Sequence, residues 1–199
     1  VAIRKRDFKQ ERARRTYEAI LRAAAKLFPK RGFDGAQVPD IAKAAGVSTG
    51  AVYRYFTDKR EIFLEMLELH LDEARAEVDA RMKARNFQSP DAIVEAVVDE
   101  IFAQTRRDPA LARIYLSMSF TDRDVGALRA RTEAADRDAV ALLVSALPRE
   151  RIPDPNAAAV VIQSAALAAA IECGVFRSAD EKEVKPAVVT AISRYLFGP

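Results

Sequence analysis

The chain has 199 residues, of which 50% are apolar and 31% charged, an ordinary composition for a soluble globular protein with one sizeable core or a small domain fused to a larger one. Its single cysteine, Cys173, and single histidine, His70, exclude an intrachain disulfide, a thiolate or histidine zinc cluster, and any mechanism that needs two histidines. The formal net charge of +3 is unevenly spread: residues 1–59 hold 14 Lys and Arg against 6 Asp and Glu, the remainder 18 against 23, so a basic head precedes an acidic body and would turn one end toward a polyanion.

Residues 1–15 are basic and lack apolar periodicity. They contain no apolar core of signal-peptide length, and the expected location is the cytoplasm. Two readings stand: an arm whose Arg4, Lys5, Arg6, Arg12, Arg14 and Arg15 follow phosphate or enter a minor groove, or a solvated terminus. Thr16 is expected to cap the first helix, with Ile20, Ala24, Leu27 and Phe28 as its buried stripe and Gly32 as its stop. Phe33 is expected to fold back onto the core.

The most informative stretch is DIAKAAGVSTGAVYRYFTDK, from Asp40 to Lys59. Gln37 precedes a helix with Pro39 in its first turn, where a missing N–H is harmless. Ile41, Ala42 and Ala45 form the apolar side of that helix, Ala44 is a small filler, and Gly46 closes it. Val47 turns inward, and Ser48 caps a second helix in which Ala51, Val52 and Phe56 pack. Thr49, Gly50, Tyr53, Arg54 and Tyr55 remain on the outer side. This is helix-turn-helix patterning, with a second helix suited to a major groove. Thr49 can read a base edge, Gly50 permits close approach, and Tyr53, Tyr55 and Lys59 can reach phosphate, while Arg54 can serve either purpose.

Asp58 is expected to cap a long helix running to about Arg85, with His70 in a packing or surface role. Ser89 and Pro90 open the next helix, carrying Ile93, Val97, Ile101 and Phe102. Asp108 and Pro109 open another, carrying Leu111, Ile114, Tyr115 and Met118 and closed by Phe120. From Asp124 to Leu147 an amphipathic stretch turns Val125, Leu128, Ala135, Ala139, Leu142, Leu143 and Leu147 inward. Pro148, Pro153 and Pro155 break the chain. The helix after Pro155 is apolar nearly all round from Val160 to Ile171, interrupted only by Gln163 and Ser164. It reads as too short, with Glu172 following, to span a membrane, and as needing cover on nearly every side. A last helix carries Val184, Val188, Ala191, Ile192 and Leu196. The expected fold is all-α, with no internal repeat, no metal-ligand pattern, no glycine-rich phosphate loop and no cofactor motif.

The series AILRAAAKLFPKRGFDGAQVPDIAKAAGVSTGAVYRYFTDKREIFLEML resembles the tetracycline-repressor family of bacterial regulators over about a quarter of the chain. That resemblance implies a three-helix head with its arm over residues 1–59 and a larger helical ligand-binding and dimerisation domain over 60–199. It further implies a homodimer, a palindromic double-stranded DNA operator and release by a small-molecule effector, while the alanine-rich helix and the last helix read from their residues as half of a four-helix dimer contact, with no membrane partner. Gln37 and Ser48 match phosphate-contacting cap positions, Thr49, Gly50 and Tyr53 match groove-facing ones, and Arg54, Tyr55 and Lys59 match positions that complete contact with base or backbone. The family commonly has Ser or Thr where Gln37 stands and a basic or polar residue where Pro39 stands, which weakens one anchor. Its cavity lies among the middle helices, making Phe102, Tyr115, Met118, Phe120 and Gln163 candidate linings, each with a core reading beside it. Glu172 and Cys173 are weaker candidates for sensing. The competing functions are a regulator without a small-molecule effector, either an activator or controlled by a protein partner, and an enzyme on a helical scaffold. The sparse inventory of His and Cys argues against the enzyme.

Overall fold

The computed structural model describes residues 11–145, 147 and 152–198. Among them the fold is all-α: α1 Glu11–Gly35, α2 Val38–Ala45, α3 Thr49–Val52, α4 Lys59–Ala84, α5 Pro90–Arg107, α6 Pro109–Thr121, α7 Arg123–Val144, α8 Pro155–Ile171 and α9 Glu181–Phe197, with a π-helical turn, Glu172–Phe176, continuing α8. The proposed arm residues Arg4, Lys5 and Arg6, and the break at Pro148, lie outside the described residues. Two compact units emerge, both discontinuous in sequence: one takes the chain through Arg75 together with Arg113–Leu128, the other Ala76–Ala112 together with the chain from Arg129 onward.

In the first unit the core joins Ile20, Ala24 and Phe28 of α1 to Ile41 of α2, Val52 of α3, Phe56, and Ile62, Phe63 and Leu67 of α4. Phe33 folds back as its spacing suggests, stacking on Phe28 at 5.8 Å and meeting the edge of Phe63 at 5.4 Å. Gly32, with φ 71° and ψ 169°, breaks α1 where the sequence predicts a stop. The start differs from expectation. Thr16 is no cap, because the helix already runs from Glu11 and its hydroxyl donates back to the Arg12 carbonyl at 3.0 Å. Arg14 and Arg15 therefore stand on a helix and pair with Glu11, and Arg14 also pairs with Glu18. Alternating charges at i, i+3 and i, i+4 supply the helical order that apolar periodicity could not signal.

In the second unit α5, α8 and α9 pack on one another around Val98, Phe102, Ile162, Ala166, Ala170, Ile192 and Leu196. Among the described residues one charged side chain of this unit is buried. Glu100, 6% exposed, is held bidentately by Arg81 at 2.8–3.2 Å, with Arg85 at 3.8 Å. Removing Arg81 would leave the buried carboxylate with only the more distant Arg85 as counter-charge. On α7 the inward stripe is narrower than predicted: Val125, Leu128, Ala141 and Val144 are buried, whereas Ala139, Leu142 and Leu143 are exposed.

The helix after Pro155 also departs from its reading. The sequence makes it too short to span a membrane, but with the π-turn it gives a 22-residue run, Pro155–Phe176, that by length and composition alone could cross one. One face, with Ala158, Ala159, Ile162, Gln163, Ala166 and Ala170, is buried. The opposite face leaves Val160 and Val161 about half exposed. The π-turn places Gly174 against α5, where an added Cβ would stand 2.7 Å from the Thr105 hydroxyl oxygen. Gly174→Ala is expected to destabilise the protein by about 1–3 kcal/mol through this overpacking, measured by denaturant titration. An unchanged midpoint would show that Thr105 yields freely.

Candidate functional site

The helix-turn-helix is built from its turn outward. Gly46 enters the left-handed region at φ 70°, the Val47 N–H reaches the Ala42 carbonyl at 3.0 Å, and the Gly46 N–H reaches that of Lys43 at 3.2 Å, closing α2. Two residues later Ser48 caps α3, its hydroxyl accepting from the Ala51 N–H at 3.2 Å. Ala51, Val52 and Phe56 are buried. Ser48, Gly50, Tyr53 and Arg54 are exposed, while Thr49 and Tyr55 are half-buried. Ala44, expected as filler, is exposed. Gln37 occupies the N-cap position of α2 but makes no side-chain cap; its amide donates to the Asp34 carbonyl at 2.9 Å. The α2 amino terminus is left without a side-chain acceptor of its own.

Lys59 stands at the first position of α4, and its ammonium donates to the carbonyls of Phe33, Asp34 and Ala36 at 2.9, 3.1 and 3.2 Å while lying 4.7 Å from the centre of the Phe33 ring. It thereby ties α4 to the corner between α1 and α2. Tyr17 is a second tie that sequence reading missed. Its ring stacks on Phe56 at 5.3 Å and approaches Tyr55 at 6.3 Å, and its hydroxyl donates to Glu65. The available signal was a tyrosine on the helix face three residues before Ile20, but its partners lie about forty and fifty residues away. Asp58 caps α4 as expected, accepting from the Glu61 N–H at 2.8 Å, while Glu61 accepts from the Thr57 N–H at 2.6 Å.

The next residue, Arg60, clasps Asp122 with two hydrogen bonds of 2.5 and 2.7 Å and Asp124 with one of 2.7 Å. Asp122 also accepts from the N–H groups of Asp124 and Val125, capping α7. The Arg60 hydrogen bonds hold the Asp122 carboxyl below its ordinary value, the two N–H groups help, and burial opposes.

The second unit contains a cavity of about 220 Å³ walled by α5, α7, α8 and α9, with Val94, Val97, Val98, Ile101, Val140, Leu143, Val144, Ile162, Ala166 and Leu196 among its linings. Of the five residues proposed from sequence, Gln163 lines it. Phe102 belongs to the same core but not to the cavity wall, and Tyr115, Met118 and Phe120 belong to the first compact unit, Phe120 being 80% exposed. Cys173 is buried, and burial first, then Glu181, Asp180 and Glu172, pushes its thiol up, away from the reactive thiolate. Glu172 is exposed and accepts from the Ser178 hydroxyl.

Among the described residues the helices thus form a capped two-helix turn with exposed side chains on and just after its short second helix, and a second helical unit that carries an apolar cavity. Residues 20–66 match the family of bacterial regulatory proteins, tetR family. The HTH-type transcriptional regulator AcrR of Shigella flexneri is 32% identical over 118 residues, covering 58% of this chain and 54% of AcrR. The chain spans about half the length of such curated relatives. The crystal structure of a transcriptional regulator from Rhodococcus sp. Rha1 shares the fold at a TM-score of 0.74 and 20% identity, over 92% of this chain and 96% of its own. That of FadR from Bacillus subtilis in complex with stearoyl-CoA does so at 0.68 and 17%, over 92% and 99%.

Because the native Asp122 value is lowered, the stability it contributes is complete above the ordinary carboxylate value of 3.8 and is lost as pH falls through the native one. Asp122→Asn should lower Tm by about 2–4 °C near neutrality. The gap to wild type should close in acid, as read from melting curves across that range. A gap independent of pH would contradict the ion pair.

Proposed function

We propose that this protein is a homodimeric, sequence-specific transcriptional repressor that binds a palindromic DNA operator and leaves it when a small molecule occupies the second unit. The observation that carries the reading is the capped turn from Gly46 to Ser48, which leaves Ser48, Gly50, Tyr53 and Arg54 exposed while Ala51, Val52 and Phe56 are buried. Thr49 and Gly50 face the groove, Ser48, Gln37 and Tyr53 hold phosphates, and Arg54 and Tyr55 complete the contact. Lys59 serves this face by position, since three carbonyls take its three N–H groups. We read residues 1–59 as the DNA-binding head and 60–199 as the effector-binding and dimerisation region.

We assign dimerisation to α8 with its π-turn and α9, where Val160, Val161, Phe176 and Tyr195 are each about half exposed. Such a row of exposed apolar residues beside alanines suits close helix contact across a two-fold axis. A small-molecule effector is supported by the cavity, and FadR, solved with stearoyl-CoA, has a fold of the same kind. The test of the whole reading is selection of bound sequences from a random duplex library with full-length protein at stated salt. A palindrome is expected, and failure of a folded protein to enrich any sequence would overturn it.

On the selected operator, Tyr53→Phe should weaken binding by about fivefold to tenfold through one lost hydrogen bond while leaving Tm unchanged. Lys59→Met should lower Tm and affinity together, and Thr49→Ala should alter the ranking of operator variants. Equal affinity for the Tyr53 variant, measured by fluorescence anisotropy, would remove that residue from the interface.

Val161→Glu should convert the dimer to monomer in sedimentation equilibrium and weaken operator binding by at least about tenfold, because it buries an unpaired carboxylate between subunits. A dimer that persists unchanged would place the interface elsewhere.

A further inference from the structure

We propose that the cavity takes an uncharged, mainly aliphatic molecule of roughly nine or ten non-hydrogen atoms bearing one hydroxyl or amide N–H group, recognised by Gln163; the size follows from scaling a benzene-binding cavity of about 150 Å³. This deepens the effector reading above and rests on it. Among the described residues no carboxylate, guanidinium or ammonium lines the cavity, and beside these walls a charged ligand would surrender its hydration without meeting a counter-charge. Apart from Gln163 and the single aromatic ring of Phe197, the described walls are aliphatic.

Gln163 is the exception. It sits on α8 between Ile162 and a row of alanines, is 8% exposed, and its side-chain oxygen Oε1 is buried with no hydrogen-bond partner. A buried amide left this way costs stability that Leu or Met at the same position would not. An oxygen that only accepts selects a ligand that donates. Size, neutrality and the single donor thus come from three independent features of one cavity.

The experiment is calorimetric titration of the full chain with four probes of similar length: 1-nonanol, 1-chlorononane, nonanoate and nonylammonium at neutral pH. The alcohol should bind at least about tenfold more tightly than either ion. Gln163→Leu should shift the alcohol-to-chloride preference by about tenfold toward the chloride. No detectable binding of the alcohol, ions that bind as tightly as the alcohol, or a preference unmoved by Gln163→Leu would each overturn the proposal. Should that variant not fold, the wild-type ranking of alcohol against ions still decides. Operator affinity is measured separately with and without the alcohol. Binding of the alcohol without operator release supports the ligand class and removes effector control, whereas release by some other compound with no binding of the alcohol removes the ligand class alone.

Discussion

Four residues cannot hold a helix. Thr49–Val52 has too few internal hydrogen bonds to offset the cost of nucleating a turn, so the geometry of the whole reading face is imposed from outside it. Gly46 ends the preceding helix at the angle required, Ser48 supplies an acceptor for an otherwise orphaned N–H, and Val52 and Phe56 anchor the underside in the core. Tyr17 then braces Phe56 and Tyr55 from α1, while Lys59 pins α4 to the α1–α2 corner through three carbonyls. A side chain on that face keeps its orientation only as long as these distant supports do. For that reason a substitution at Lys59 and one at Tyr53 belong to different physical classes although the two residues lie six positions apart.

The first unit was legible because its determinants are local. Gly46, Ser48 and Asp58 act within three or four residues of themselves, and the stop at Gly32 needs only a backbone that tolerates positive φ. What was not legible is nonlocal. Lys59 reads as a free cation until carbonyls 23 to 26 residues earlier surround it. Arg14 and Arg15 read as part of an arm because helix order there comes from charge pairs with Glu11 and not from an apolar stripe.

The cavity was less accessible to sequence reasoning for a different reason. Its walls are Val, Ile, Leu and Ala at helical spacing on four helices, and such residues give the same pattern whether they meet a neighbour or a void. Aromatic and methionine side chains drew attention instead, yet Phe102 fills the core and Tyr115, Met118 and Phe120 belong to the other unit. Gln163 alone betrayed itself, since an amide inside an apolar helix is a local anomaly that packing does not explain.

Control by a ligand requires more than a cavity that binds. A molecule present at a hundred times its dissociation constant stabilises the form it binds by about 2.7 kcal/mol, but operator affinity changes only by the part of that energy that differs between the operator-competent form and the released one. A hydrogen bond to an otherwise unpartnered Gln163 oxygen is well suited to supply such a difference, because its worth depends on where α8 stands relative to the ligand, whereas contact with aliphatic walls is tolerant of small shifts. On the proposed reading the amide carries a cost in the unliganded protein that a purely apolar wall would avoid, and relief of that cost by a donating ligand would set the bound state apart.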